Sequence, residues 1–263
     1  MKTLVALLLL FSALSSAWGQ GIEELQKKYA ITVVTEAPPF PVKATYGRIE
    51  GKPAEKKDLD SYLKILLEEW NLYPPELVTK TGLKRIILCQ ELAFNGQRRT
   101  AIPDFEHDDL YFDVSRGRSN ALYVRKVIHH EYFHVIDLRD DGQLYRDPAW
   151  AALNPEGFQY GAGGAAVQND SSVSLPSDSI PGFLNKYGAT GVEEDKAELF
   201  AALFAEPERV AKRVEQDSFL AAKLARLKEL LQAFVPTMDK TFWERFPRKT
   251  EEKPGGGANT EGL

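Results

Sequence analysis

Cysteine is almost absent: Cys89 stands alone in 263 residues. One thiol closes no internal disulfide, so a hydrophobic core has to hold the fold, and within Ile86-Ile87-Leu88-Cys89 the thiol reads as a small buried hydrophobe. Excess positive charge is also missing, with 33 Lys and Arg against 38 Asp and Glu and a formal net charge of −5. That balance excludes the electrostatic footprint expected for binding nucleic acid or an anionic membrane surface. Local clusters such as Gln97-Arg98-Arg99 and Arg116-Gly117-Arg118 read as solvated loop charges. Beyond the N-terminus, no stretch approaches the roughly 18 to 20 uninterrupted apolar residues of a membrane helix, so no stable membrane insertion is expected. Histidine is scarce too, yet three of the four, His129, His130 and His134, fall within six consecutive positions.

The first nineteen residues carry the pattern of an export signal. Lys2 supplies the charge, Leu4 to Leu14 the apolar run, and Ala17-Trp18-Gly19 a small-x-small cleavage site. The expectation is a secreted or periplasmic protein that begins near Gln20, with no following cysteine to carry a lipid anchor. Residues 20–247 are expected as a single domain, and residues 248–263, with Pro254-Gly255-Gly256-Gly257, as a disordered tail.

Periodicity predicts an α+β fold. A helix is expected over Ile22 to Tyr29, a strand over Ile31 to Thr35, and a packing helix from Asp58 to Leu72 with its apolar residues at helical spacing. Three β-type runs follow, Arg85 to Cys89, Arg99 to Ile102 and Leu110 to Val114, predicting a small mixed or antiparallel sheet. Ser119-Asn120 is a candidate N-cap for a helix of about five turns through Leu138. Between Asp140 and Pro181 lies a long Gly/Ser/Asn/Pro loop with Trp150, Phe158 and Tyr160 as aromatic anchors. Further helices are expected from Val192 through Phe204 and from about Glu208 to Phe234.

The chemistry concentrates on the long helix. His130-Glu131-Tyr132-Phe133-His134 matches H-E-x-x-H, in which imidazoles at i and i+4 stand one turn apart on one face and can bind a single zinc ion. The glutamate between them is placed to take a proton from a metal-activated water. His129 points about 100° away and is expected to pack, and His107, in the acidic loop Asp104 to Asp109, reads as a surface histidine. A catalytic zinc usually takes three protein ligands, and the chain offers the missing one at Glu194 or Glu198, also at i and i+4, on a helix face that is half acidic and half apolar.

Together with Asp137, and with Tyr187-Gly188-Ala189-Thr190 leading into Glu194-Asp195-Lys196-Ala197-Glu198, the motif resembles the metallopeptidase domain of anthrax lethal factor and of related secreted proline-directed endopeptidases of the gluzincin type. The resemblance covers roughly Asn120 to Phe204. It implies a zincin-like fold, a small mixed sheet packed on an active-site helix, with one zinc ion on His130, His134 and Glu194. It further implies Glu131 and Tyr187 as catalytic residues, Tyr187 serving the oxyanion, and Glu198 as a supporting partner that orients an imidazole; Asp137, three residues past His134, is expected in a similar supporting role. Phe133 departs from that family, which often has glycine there, and this bears on substrate preference. The expected activity is endopeptidase cleavage of extracellular or periplasmic proteins, the substrate lying extended beside Leu110 to Val114. Two other readings share these residues: a catalytically inactive zinc-binding module that binds peptides or cell-surface proteins, and a helical protein whose histidines only pack or cap.

Overall fold

A computed structural model describes residues 18–36, 40–167 and 170–246. The export signal up to residue 17 and the tail 248–263 lie outside the described residues. Within the span expected as one domain, the chain's contacts group into two compact units, Met1–Arg125 and Lys126–Leu263.

The first unit contains helices α1 (Gly19–Tyr29), α2 (Lys56–Trp70) and α3 (Pro75–Thr81) and a seven-stranded mixed sheet. Its strands are β1 (Thr32–Val34), β2 (Val42–Ala44), β3 (Gly47–Pro53), β4 (Arg85–Phe94), β5 (Gln97–Arg98), β6 (Ala101–Asp104) and β7 (Asp109–Asp113), in the order β2-β3-β4-β7-β6, with β1 and β5 also pairing β4. The α+β class with a mixed sheet is therefore as the sequence predicts. Central β4 and β7 are near-continuous apolar runs because both of their faces are covered. One face carries Ile49, Ile87, Cys89, Leu92 and Tyr111, and on β7 Phe112 meets Tyr62 of α2 at 5.7 Å between ring centroids. Burial pushes the Cys89 thiol up to about 12, as befits an inert core residue.

Three local features differ from expectation. The β2–β3 hairpin was not visible in the sequence because only Ile49 of β3 is buried, leaving no alternating pattern to read. Pro74-Pro75 does end α2, but Pro75 also opens α3 at its first turn, where a missing N–H costs nothing. Substrate pairing beside Leu110 to Val114 is ruled out: β7 is hydrogen-bonded to parallel β4 on one side and to antiparallel β6 on the other, so it has no free edge.

The boundary between units falls inside α4 (Ala121–Asp141), whose N-terminus is capped by Asn120, with Oδ1 accepting from the Tyr123 N–H at 3.0 Å. The second unit continues with α5 (Pro148–Ala151), short 3-10 turns at Gly164–Val167, Ser171–Ser174 and Gly188–Thr190, then α6 (Val192–Ala205), α7 (Pro207–Val214), α8 (Ser218–Phe234) and α9 (Lys240–Trp243). The helix expected over Glu208 to Phe234 is two helices, because Asp217 turns its carboxylate back to accept from the Leu220 N–H and starts α8 afresh. Every residue of α6 from Val192 to Phe204 is buried. A helix enclosed on all sides carries its charged side chains into the interior, and five of them, Glu193, Glu194, Asp195, Lys196 and Glu198, need partners there. Among the described residues no helix is long and apolar enough to cross a membrane.

Candidate metal centre

The helical repeat of α4 brings the rings of His130 and His134 edge to face, 4.8 Å between centroids. Their Nε2 atoms lie 3.1 Å apart. From α6, Glu194 adds its Oε2 at 3.0 Å from His130 Nε2 and 3.6 Å from His134 Nε2. A tetrahedral site with bonds of about 2.0 to 2.2 Å has ligand–ligand edges of roughly 3.3 to 3.6 Å. Three lone-pair atoms forming a triangle of nearly that size fit a divalent cation, and His130, His134 and Glu194 are the group of the described residues that could hold one. The first turn of α6 suits the acid as well, since the helix dipole favours negative charge at its N-terminus. Burial pushes the Glu194 carboxyl up, but hydrogen bonds and charge from the two imidazoles outweigh it and hold the group well below the usual carboxylate range.

Around this triangle the other expected residues take distinct places. Glu131 is partly buried beside the histidines; desolvation raises its carboxyl above its ordinary value against the opposing pull of His130 and His134. The Tyr187 hydroxyl donates to Glu194 Oε1 at 3.1 Å, and its ring centroid is 5.8 Å from that of His130. Burial and the charges of Glu194 and Glu131 push the phenol upward, so it keeps its proton and acts as a donor. Glu198 sits behind the centre, Oε1 at 3.0 Å from His130 Nδ1. Its Oε2 accepts from Asn185 Nδ2 at 2.5 Å and lies 3.3 Å from Lys126 Nζ. Burial raises this carboxyl, yet Lys126, His130 and Asn185 together hold it down at about 2.

Asp137 lies within electrostatic reach of His134 and also has a partner on α6. Its Oδ1 accepts from Lys196 Nζ at 2.5 Å in a buried ion pair, and among the described residues neither its Oδ2 nor His134 Nδ1 has a hydrogen-bond partner. Lys196, 59 positions away in sequence and fully enclosed on α6, pairs with the acid because an unpaired ammonium in that interior would be costly. His129 stacks on Phe204 at 4.6 Å and packs, as predicted. Phe133, where the resembled family often has glycine, fills space against Phe200 at 4.9 Å. His107 lies in the first unit, hydrogen-bonded to Asp104.

Several contributors escaped the sequence reading. Asn185 and Lys126 reach Glu198, Gly164 approaches the centre from the long loop, and Gly163 beside it ties that loop to the turn before α6. Gly163 N–H donates to Thr190 O at 2.7 Å with φ +84°, a conformation glycine tolerates. A side chain at Gly164 would collide with the Glu194 carboxylate and the Tyr187 hydroxyl. The aromatic anchors of the loop converge on α6: Trp150 Nε1 and the Tyr160 hydroxyl both donate to Asp195 Oδ2, at 2.8 and 2.6 Å. The only available signals were spacings, Lys126 one helical turn before His130 and Asn185 two residues before Tyr187.

No family model matches the chain, and no curated protein matches it in sequence. Among solved structures it is similar to a protein of Bacteroides caccae ATCC 43185 described as a "putative zinc-binding metallo-peptidase", with a TM-score of 0.52 and 15% sequence identity over 86% of this chain and 92% of that one. At that identity the likeness establishes a shared fold.

Proposed function

We propose that the chain is a zinc-dependent endopeptidase of gluzincin type, acting on extracellular or periplasmic peptides or proteins. The observation that carries this reading is the convergence of His130 Nε2, His134 Nε2 and Glu194 Oε2 on one point, with Glu131 and Tyr187 beside it. A single zinc ion held there would polarise a scissile carbonyl and acidify a water. Glu131, its basicity raised by burial, accepts the proton of the attacking water and hands it to the departing amine. Tyr187, which keeps its proton, donates to the carbonyl oxygen as that oxygen becomes anionic. Glu198, with Oε1 3.0 Å from His130 Nδ1, sets a negative charge behind that ring and strengthens its Nε2 as a ligand. The H-E-x-x-H helix, Tyr187 and Glu194 also support a kinship with the lethal factor-like endopeptidases, and the substituted Phe133 argues for a different cleft and substrate preference.

The test combines metal uptake with cleavage of a diverse peptide library. Wild type takes up one zinc per chain and cleaves; Glu131→Gln keeps the zinc and loses about 10²- to 10⁴-fold in rate; Glu194→Ala loses the metal. Stoichiometric zinc with no cleavage of any peptide would leave the zinc-binding module as the better reading. No uptake of zinc on titration would end both.

A further inference from the structure

Asn185 joins two parts of the site, the partner of His130 Nδ1 and the turn that carries Tyr187. It is 1% exposed, and both ends of its amide are used. Nδ2 donates to Glu198 Oε2 at 2.5 Å, and Oδ1 accepts from the Gly188 N–H at 2.9 Å. The first bond acts on the carboxylate that faces His130 Nδ1. The second pins the turn that carries Tyr187, which Thr190 also ties from its other end through Oγ1 to the Tyr187 carbonyl at 2.6 Å. Glu198 is held from the opposite side by Lys126, which at 3.4 Å also reaches Glu206.

We propose that Asn185 is a positioning residue that holds the His130 imidazole, through Glu198, and the Tyr187 hydroxyl in register, with Lys126 holding Glu198 from its other side. The inference rests on the metal-centre reading above. The chemistry selects asparagine at this position. One end must donate to a carboxylate and the other must accept from a backbone N–H, which an amide does and a carboxylate does not. Aspartate has the same shape but would set a second anion against Glu198, and alanine reaches neither partner. Outer partners of ligand histidines commonly change metal affinity 10- to 100-fold when lost.

The experiment measures zinc affinity by chelator competition and the visible spectrum of the cobalt(II)-substituted protein, neither of which depends on peptidase activity. Asn185→Asp is expected to weaken zinc about 10- to 100-fold and to alter the cobalt spectrum. In the double variant Asn185→Asp/Glu198→Gln the donor and acceptor are exchanged, restoring the hydrogen bond. Its affinity is expected to be about tenfold higher than multiplying the two single losses would give. On a cleaved peptide, Asn185→Asp lowers kcat with little change in KM. If Asn185→Asp does not fold, Lys126→Gln reads the same clamp from its other side, losing about tenfold in zinc affinity while Lys126→Arg retains it. Wild-type affinity and an unchanged cobalt spectrum in Asn185→Asp, or additive losses in the double variant, overturn the proposal even if the wild type cleaves peptides. A wild type that binds zinc without cleaving removes the peptidase reading and leaves this one to be decided by the same titrations.

Discussion

The two units differ in how deeply they bury paired charge. In the first, two enclosed acids answer to cations that stay partly in water: Asp58 to Arg118, whose side chain is 62% exposed, and Asp109 to Arg85, 43% exposed. In the second, two pairs are enclosed on both sides. Lys196 and Asp137 are 2% and 3% exposed, and Lys223 and Asp195 are 0% and 4% exposed. Lys223 also donates to Gly182 O at 2.9 Å and lies 3.5 Å over the Phe183 ring. A pair with one wet partner is a modest and forgiving device, whereas a fully desolvated pair is tolerated only when geometry satisfies it and fails badly when one member is removed. The second arrangement surrounds α6, the helix that carries Glu194. Desolvated charge there locks α6 to α4, α8 and the long loop, and so holds a carboxylate at a fixed distance from two imidazoles on another helix.

That contrast can be broken by measurement. Lys196→Met strands Asp137 in the interior and is expected to cost about 3–5 kcal/mol in urea-unfolding free energy. Tyr160→Phe removes one of the donors to Asp195 Oδ2 and is expected to cost about 1–3 kcal/mol by the same measurement. Arg118→Ala in the first unit is expected to cost under about 1 kcal/mol, since water can replace an exposed guanidinium. If Lys196→Met proved no more damaging than Arg118→Ala, the distinction between the two units would not hold. The smallest effect belongs to His107. Its hydrogen bond to Asp104 raises its pKa above the ordinary value, so the protonated ring stabilises the folded chain. That contribution is complete below about pH 6.5 and fades as pH climbs through the higher folded-state value. His107→Gln should therefore lower stability slightly in mild acid and not at all in mild base, as read by urea midpoints across that range.

Much of the fold was legible. The amphipathic spacing of Leu59, Tyr62, Leu63, Leu66 and Trp70 marks α2, and the apolar runs of β4 and β7 mark buried strands. The β2–β3 hairpin was not legible, since with Ile49 as its one buried residue it depends on pairing with β4 and not on its own pattern. The break between α7 and α8 was missed because helix propensity runs evenly through Glu208 to Phe234, and the Asp217 cap acts only once the chain is folded around it. At the site, the local motif was readable and its support was not. Asn185, Lys126 and Gly164 carry no motif, and their parts in the centre come from contacts with Glu198, Glu194 and Tyr187.

The sequence by itself determined that two imidazoles and a glutamate share one helix, because the pairing of i with i+4 follows from a helical repeat that needs no other part of the chain. It also narrowed the third ligand to two acids one turn apart. Only the tertiary structure shows which of the two faces both imidazoles. Across 64 positions of chain, packing of α6 turns Glu194 Oε2 toward both Nε2 atoms and Glu198 toward His130 Nδ1 on the far side of the ring. The rotation of a buried helix is set by everything it touches, here by the enclosed partners of Asp195 and Lys196, and no local pattern encodes it.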